Sequence, residues 1–300
     1  MFLAGTAVAQ SSQYRAPRES DGELRWKFQP GQVFRMITEQ STNMSMTIGS
    51  QPIQTSTQNI NEMTLAIGEV DSQGSAKATA TLDRMMMQME AGGQKMSFDT
   101  AEEDDQNNGP MIEVANMIRP MIGKQISQEM AASGKVSNVN VPDDMLPDAS
   151  NPIAAGMLNK KSLEEMSSRG SLEFPQSKME MGHTWQVKTE MEMGPAKVAT
   201  TTDYKYLGVK EGPDGPLHVI EGKISMQFPQ GVAGSNIDVV DEDSRATFYF
   251  DGVKGRLHGT ELQQDMKLKI SAGGQSSQQH VVQSMKMRFE EGKPETSDNG

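Results

Sequence analysis

The sequence predicts a mainly β fold: a curved antiparallel sheet or open half-barrel made of two similar halves, with a few short helices packed on it. Three observations carry this. Apolar and polar residues alternate with a period of two through most of the chain, as half-buried antiparallel strands require. Helical spacing shows in only two short windows. The segment after Gly31 also returns after Gly182: at an offset of 151 residues Phe34 meets Trp185, Met36 meets Val187, Thr38 meets Thr189 and Glu39 meets Glu190.

Residues 1–9, MFLAGTAVA, end in Ala7-Val8-Ala9, the small-x-small pattern cut by signal peptidase, and are expected to be a signal remnant that marks the chain for export. Residues 10–22 are polar and unpatterned, as a disordered linker is. The first β-rich half, 23–145, opens at LRWKF and alternates through VFRMITEQSTNMSMTI, INEMTLAI and AKATATL, with DSQG (71–74) as a turn. In DRMMMQMEAGGQKMSF (83–98), Met85, Met87 and Met89 share one face, Ala91 to Gly93 turn the chain, and Met96 and Phe98 return, which makes a hairpin. The phase slips between Leu82 and Met85, so a β-bulge is expected near Asp83. After Pro110, Met111, Val114, Met117 or Ile118, and Met121 follow at helical spacing. KQISQEMAASGKVSNVNV then supplies two strands about a turn at Ala132 to Gly134. Residues 146–172 are a connection with a short helix, where Ser162 and Glu165 have capping-box spacing. The second half, 173–291, alternates again, with GPDG (212–215) as a hairpin turn; roughly ten strands result. Residues 292–300 are expected to be a disordered tail.

Composition narrows the function classes. With no Cys there is no lipid-modified cysteine, disulfide or thiolate metal site. A net charge of -12 and a pI near 4.9 exclude the basic footprint a nucleic-acid partner needs. No stretch reaches the run of apolar residues that a transmembrane span requires. The expected location is therefore the periplasm, the wider cell envelope or the extracellular space. Leu, Ile, Val and Phe number 53, too few for an ordinary core, and the 25 Met raise the apolar set to 78, so methionine replaces aliphatic residues inside the strands.

The pairs Met44/Met46, Met179/Met181, Met191/Met193 and Met285/Met287 each project two thioethers to one side of a strand. Thioethers suit Cu(I), which makes a copper-binding protein one reading. The four His stand apart from these pairs, and flexible, polarisable methionine is equally suited to line a face for an apolar molecule of variable shape. The expected lining is Met85, Met87, Met89, Met96, Met191, Met193 and Met266. The acidic runs at Glu102 to Asp105 and Asp241 to Ser244 lack calcium-loop spacing and are expected to be solvated loops. No nucleophile elbow, zinc-protease, phosphate-loop or dinucleotide motif occurs, so no catalytic, cofactor or metal residue is assigned. The expectation is an exported, non-catalytic envelope protein that binds a lipid-like molecule, with a structural or protein-interaction module as the alternative and an envelope protein as its partner.

LRWKFQPGQVFRM, PMIGKQISQEMAASGKV and LEFPQSKMEMGHTWQV resemble a family of exported bacterial proteins of unknown function (domain of unknown function 6263) over most of residues 24–291. The resemblance implies export and a β-rich fold, and no activity. At the level of fold it is also similar to lipoprotein carriers, whose curved sheet is covered by helices.

Overall fold

The computed structural model describes residues 13–48, 51–102, 111–146, 160–169, 172–193, 196–229 and 236–292. The predicted signal remnant, the tail beyond Gly292 and the acidic residues after Glu102 lie outside that set. The fold class is as expected: most described residues lie in one open antiparallel sheet. Its strands are β1 (Val33–Ile48), β2 (Gln51–Val70), β3 (Ala76–Ala91), β4 (Gln94–Asp99), β5 (Gln125–Met130), β6 (Val136–Asn140), β7 (Thr184–Met193), β8 (Ala196–Gly212), β9 (Gly215–Gln227), β10 (Asn236–Asp251), β11 (Arg256–Ala272) and β12 (Gln275–Glu291). Two α-helices accompany them, α1 (Met111–Ile118) and α2 (Lys160–Arg169).

The strand order is β6-β5-β3-β2-β1-β12-β11-β10-β9-β8-β7, with β4 paired to β3. Each half therefore meanders in the same direction, and the two are joined where β1 pairs with β12. The helix α2 packs on both edge strands, β6 and β7, so the sheet curls until one helix bridges its edges. That covers what would otherwise be exposed edge.

The repeat inferred from sequence reappears as backbone geometry. Gly31 donates to the Ile67 carbonyl at 2.8 Å and Gly182 to the Tyr206 carbonyl at 2.8 Å. Ile67 and Tyr206 donate back to Gln32 and His183, the residues next to those glycines. Both glycines have φ near 80–90°, a region open to glycine and costly to other residues. The register of β2 against β3 shifts between Ile67 and Val70, and that of β8 against β9 between Tyr206 and Gly208, so each lead-in turn faces a bulged strand.

Local chemistry explains the rest. Register passes from Glu62–Arg84 to Met63–Leu82, which leaves Asp83 as the bulged residue. Gly92 and Gly93, both at positive φ, close the β3–β4 hairpin as a two-residue turn. Three expectations are corrected. Residues 13–22 are not a linker: Arg15 exchanges backbone hydrogen bonds with Val209, and Asp21 is buried. LRWKF, where the first half opens, is an irregular segment whose Trp26 indole donates to the Leu172 carbonyl at 3.2 Å. Asp241 to Ser244 lies inside β10 rather than in a loop, because a bulge at Val240 re-phases the strand there. Ser162 stands within α2 rather than at its cap.

The core sits at one end of the curled sheet. Trp26, Phe28, Phe174 and Phe250 meet there, with Phe174 and Phe250 edge to face at 4.8 Å, over Phe34, Leu65, Ala78, Tyr206 and Ile220. A second cluster of Phe98, Met111, Ala115, Ile118, Met121, Val141, Met145 and Leu163 fills the space between β3–β4 and the helices.

Candidate functional site

Directly paired residues in an antiparallel sheet project to the same face, so register alone lays out the inner surface. One row runs from β7 to β4 as Trp185, Tyr204, Gly222, Ala246, Leu262, Met285, Gln40, Asn59, Met87 and Phe98. The next runs Val187, Thr202, Ile224, Ser244, Gln264, Gln283, Thr42, Thr57, Met89 and Met96. Away from the aromatic end, inner-face residues such as Met44, Gln40, Asn59, Met285 and Met287 are half-buried.

The predicted lining separates into three groups. Met85, Met87 and Met96 pack against the helix-covered cluster, with Met87 opposite Phe98 and Met89 opposite Met96. Met266 is 7% exposed on β11, four strands from β3, beside Val281 and opposite Glu242. Met191 and Met193 lie in β7, and their side chains fall outside the described set. Three thioethers omitted from the predicted lining, Met44, Met285 and Met287, lie on the same face of the central strands. The Met-x-Met spacing on those strands was the signal for them.

Polar residues on this face are the part that sequence reasoning missed. From the level of Thr38 to that of Met46, the described inner-face strand positions carry no Lys, Arg, His or Asp, and one carboxylate, Glu242. Instead they carry Thr, Gln and Asn among the methionines. Both Glu242 oxygens are engaged, by the Met226 backbone N–H at 3.0 Å and the Ser244 hydroxyl at 3.2 Å. The Gln264 side-chain amide rests on the Met226 sulfur at 3.8 Å, and Gln279 contacts the Met44 sulfur in the same way. Asn59 Oδ1, Asn61 Oδ1 and Trp185 Nε1 are buried without a hydrogen-bond partner.

The outer face at the same levels is of opposite character. Glu39, Lys286, Glu261, Asp243, Arg245, Asp265 and Lys267 alternate there, with pairs such as Lys267–Asp241 at 2.9 Å and Arg288–Glu39 at 2.8 Å. Shallow grooves open on that side, one beside Lys210, Tyr249, Lys286 and Arg288 and another beside Asn43, Ser56 and His280.

A buried polar staple closes the aromatic end. Arg15 grips Asp21 with two hydrogen bonds, at 2.5 and 2.8 Å, and the Arg18 backbone N–H adds a third at 2.6 Å. Those donors, led by the Arg15 guanidinium, hold the Asp21 carboxyl down at about 2. His218 donates from Nε2 to the Asp21 carbonyl at 3.1 Å, and its Nδ1 lies 2.6 Å from the Tyr206 hydroxyl, which donates to it in the neutral ring. Burial lowers its pKa and raises that of Tyr206. His218 and Tyr206 are 2% and 0% exposed, so the group fastens the amino-terminal segment to β8 and β9. Among the described residues no cluster of His, Asp or Glu has the makings of a metal site.

Fold and face together define a class: an open, curled antiparallel sheet with a charged outside and a nearly uncharged thioether and amide inside. The model of a family of unknown function (DUF6263) matches residues 73–213, from the turn before β3 to the turn after β8, so the resemblance seen in the sequence is found over a narrower span than 24–291. No curated protein matches the sequence. Similar solved structures include lipovitellin, described in terms of its lipid–protein interactions, at 10% identity and TM-score 0.49 over 91% of this chain; the present chain spans 26% of lipovitellin. A hypothetical lipoprotein from Escherichia coli (K12) is similar at 9% identity and TM-score 0.25, covering 83% of this chain and 86% of its own. An outer membrane channel from Pseudomonas putida F1 is similar at 6% identity and TM-score 0.26, covering 88% and 97%. No helix among the described residues is long and apolar enough to cross a membrane.

Proposed function

We propose that this is a non-catalytic protein of the bacterial cell envelope that holds an apolar, lipid-like molecule against the inner face of its sheet. One observation carries the reading. The inner face beyond the aromatic core is half-buried, rich in thioethers and nearly free of charge, while the outer face of the same strands carries the charge expected of a solvated surface. Methionine adapts its packing to an irregular guest with little cost, and Met44, Met285 and Met287 stand on neighbouring central strands where such a guest would lie. Large apolar residues that are exposed, such as Ile53, Val240 and Val282, stand on separate strands, which gives an interaction module less support.

Native mass spectrometry of the protein purified from its own envelope tests this. A bound mass in the lipid range, released on activation, is the expected result. A bare protein with intact β-sheet circular dichroism, which also fails to take up an environment-sensitive apolar dye, overturns the proposal.

A further inference from the structure

The charge pattern of the inner face carries information about the guest as well as about the protein. A carboxylate or phosphate on the guest would be taken out of water at a place where the described strand positions offer no cation, which is strongly unfavourable for the ionised form. A cationic group would have to turn to Glu242, whose oxygens already serve Met226 and Ser244. What the face offers beside the central thioethers is a pair of acceptors, the unpaired indole N–H of Trp185 lying away on β7. Asn59 and Asn61 stand two positions apart on β2, about 7 Å along the strand, with both Oδ1 atoms buried and unpartnered. Their neighbours do not serve them: Gln40, opposite Asn59, gives its amide to Thr42 at 3.3 Å, and Met87 and Met85 on the other side carry thioethers, which have no hydrogen to donate. A buried acceptor left in this condition is unfavourable until a donor reaches it.

We propose that the polar part of the molecule held on this face is uncharged and donates hydrogen bonds, as a hydroxyl or amide does, to Asn59 and Asn61. The inference rests on the apolar-guest reading above and specifies its chemistry: a neutral amphiphile with its chain among the thioethers of β1, β3 and β12 and its donor group on β2. Fatty-acid anions, phosphate-headed lipids and cationic amphiphiles are excluded from tight binding.

The test uses the full-length protein stripped of bound lipid, with three probes of equal chain length: dodecan-1-ol, dodecanoate and dodecyltrimethylammonium, titrated at pH 8 against a displaceable apolar dye. The alcohol is expected to bind at least tenfold more tightly than either ion. In the double variant Asn59→Leu, Asn61→Leu the alcohol should lose about fivefold to tenfold in affinity, while the two ions, which have no hydrogen to donate to these acceptors, change by less than about twofold. If the double variant fails to fold, the wild-type ratio of alcohol to ion decides alone. Equal or tighter binding of an ion overturns the assignment of a neutral donor and leaves the apolar face standing. No binding of any probe overturns both readings.

Discussion

At the closed end of the inner face Trp26 meets Phe250 edge to face at 5.6 Å, Phe174 meets the same ring at 4.8 Å, and Phe250 itself is 0% exposed. About 40 Å further along β1, from Phe34 to Met46, the same face of the same strands is carried by thioethers, amides and hydroxyls that are mostly half-buried. Rings locked edge to face have few ways to repack, whereas a methionine has three rotatable side-chain bonds and many. The comparison assigns stability to one end of the sheet and adaptability to the other, although both are built on continuous strands.

Substitutions sharpen that contrast, beginning with the largest effect. Phe250→Ala should cost about 3–5 kcal/mol in urea unfolding, because the aromatic end cannot collapse into the space left behind. Acid should also act at this end. The folded pKa of His218 lies below its ordinary value, so its contribution is present above about pH 6.5 and is lost as pH falls through the folded value. Asp21, held at about 2 against an ordinary 3.8, contributes above its unfolded pKa and loses that contribution as pH falls towards 2. Thermal melts from pH 8 to 2.5 should thus fall in two stages, and Asp21→Asn should lower the melting temperature at pH 7 and flatten the second stage. A melting curve independent of pH would break the assignment of the staple. The smallest effect is expected at the far end: Met285→Leu and Met287→Leu, separately, should each cost less than about 1.5 kcal/mol. A cost there equal to that of Phe250→Ala would show that both ends are rigid core and remove the comparison.

Much of this was legible from residue order. The phase slip at Asp83 predicted a bulge because an extra residue must reverse the alternation, and the alignment of Gly31 with Gly182 at an offset of 151 predicted two similar halves. The inner polar residues were not legible for an equally physical reason. In β1 the inner positions read Phe34, Met36, Thr38, Gln40, Thr42, Met44 and Met46, and a reading that sorts residues into apolar-in and polar-out assigns Thr and Gln to water. Only register, which depends on contacts far apart in sequence, places them beside Asn59 and Gln283. The staple escaped notice likewise, since Asp21 and His218 are 197 residues apart and nothing local links them.

The seam between β1 and β12 has a consequence for how the molecule is made. The strands that join the two halves stand near opposite ends of the chain, so the middle of the sheet cannot be completed until residues 275–291 have been synthesised. Until then β1 waits with an unpaired backbone edge, and the growing chain holds two unfinished ribbons rather than one shell. Assembly of the sheet therefore belongs to the end of synthesis, when its bare strand edges are most open to wrong pairing.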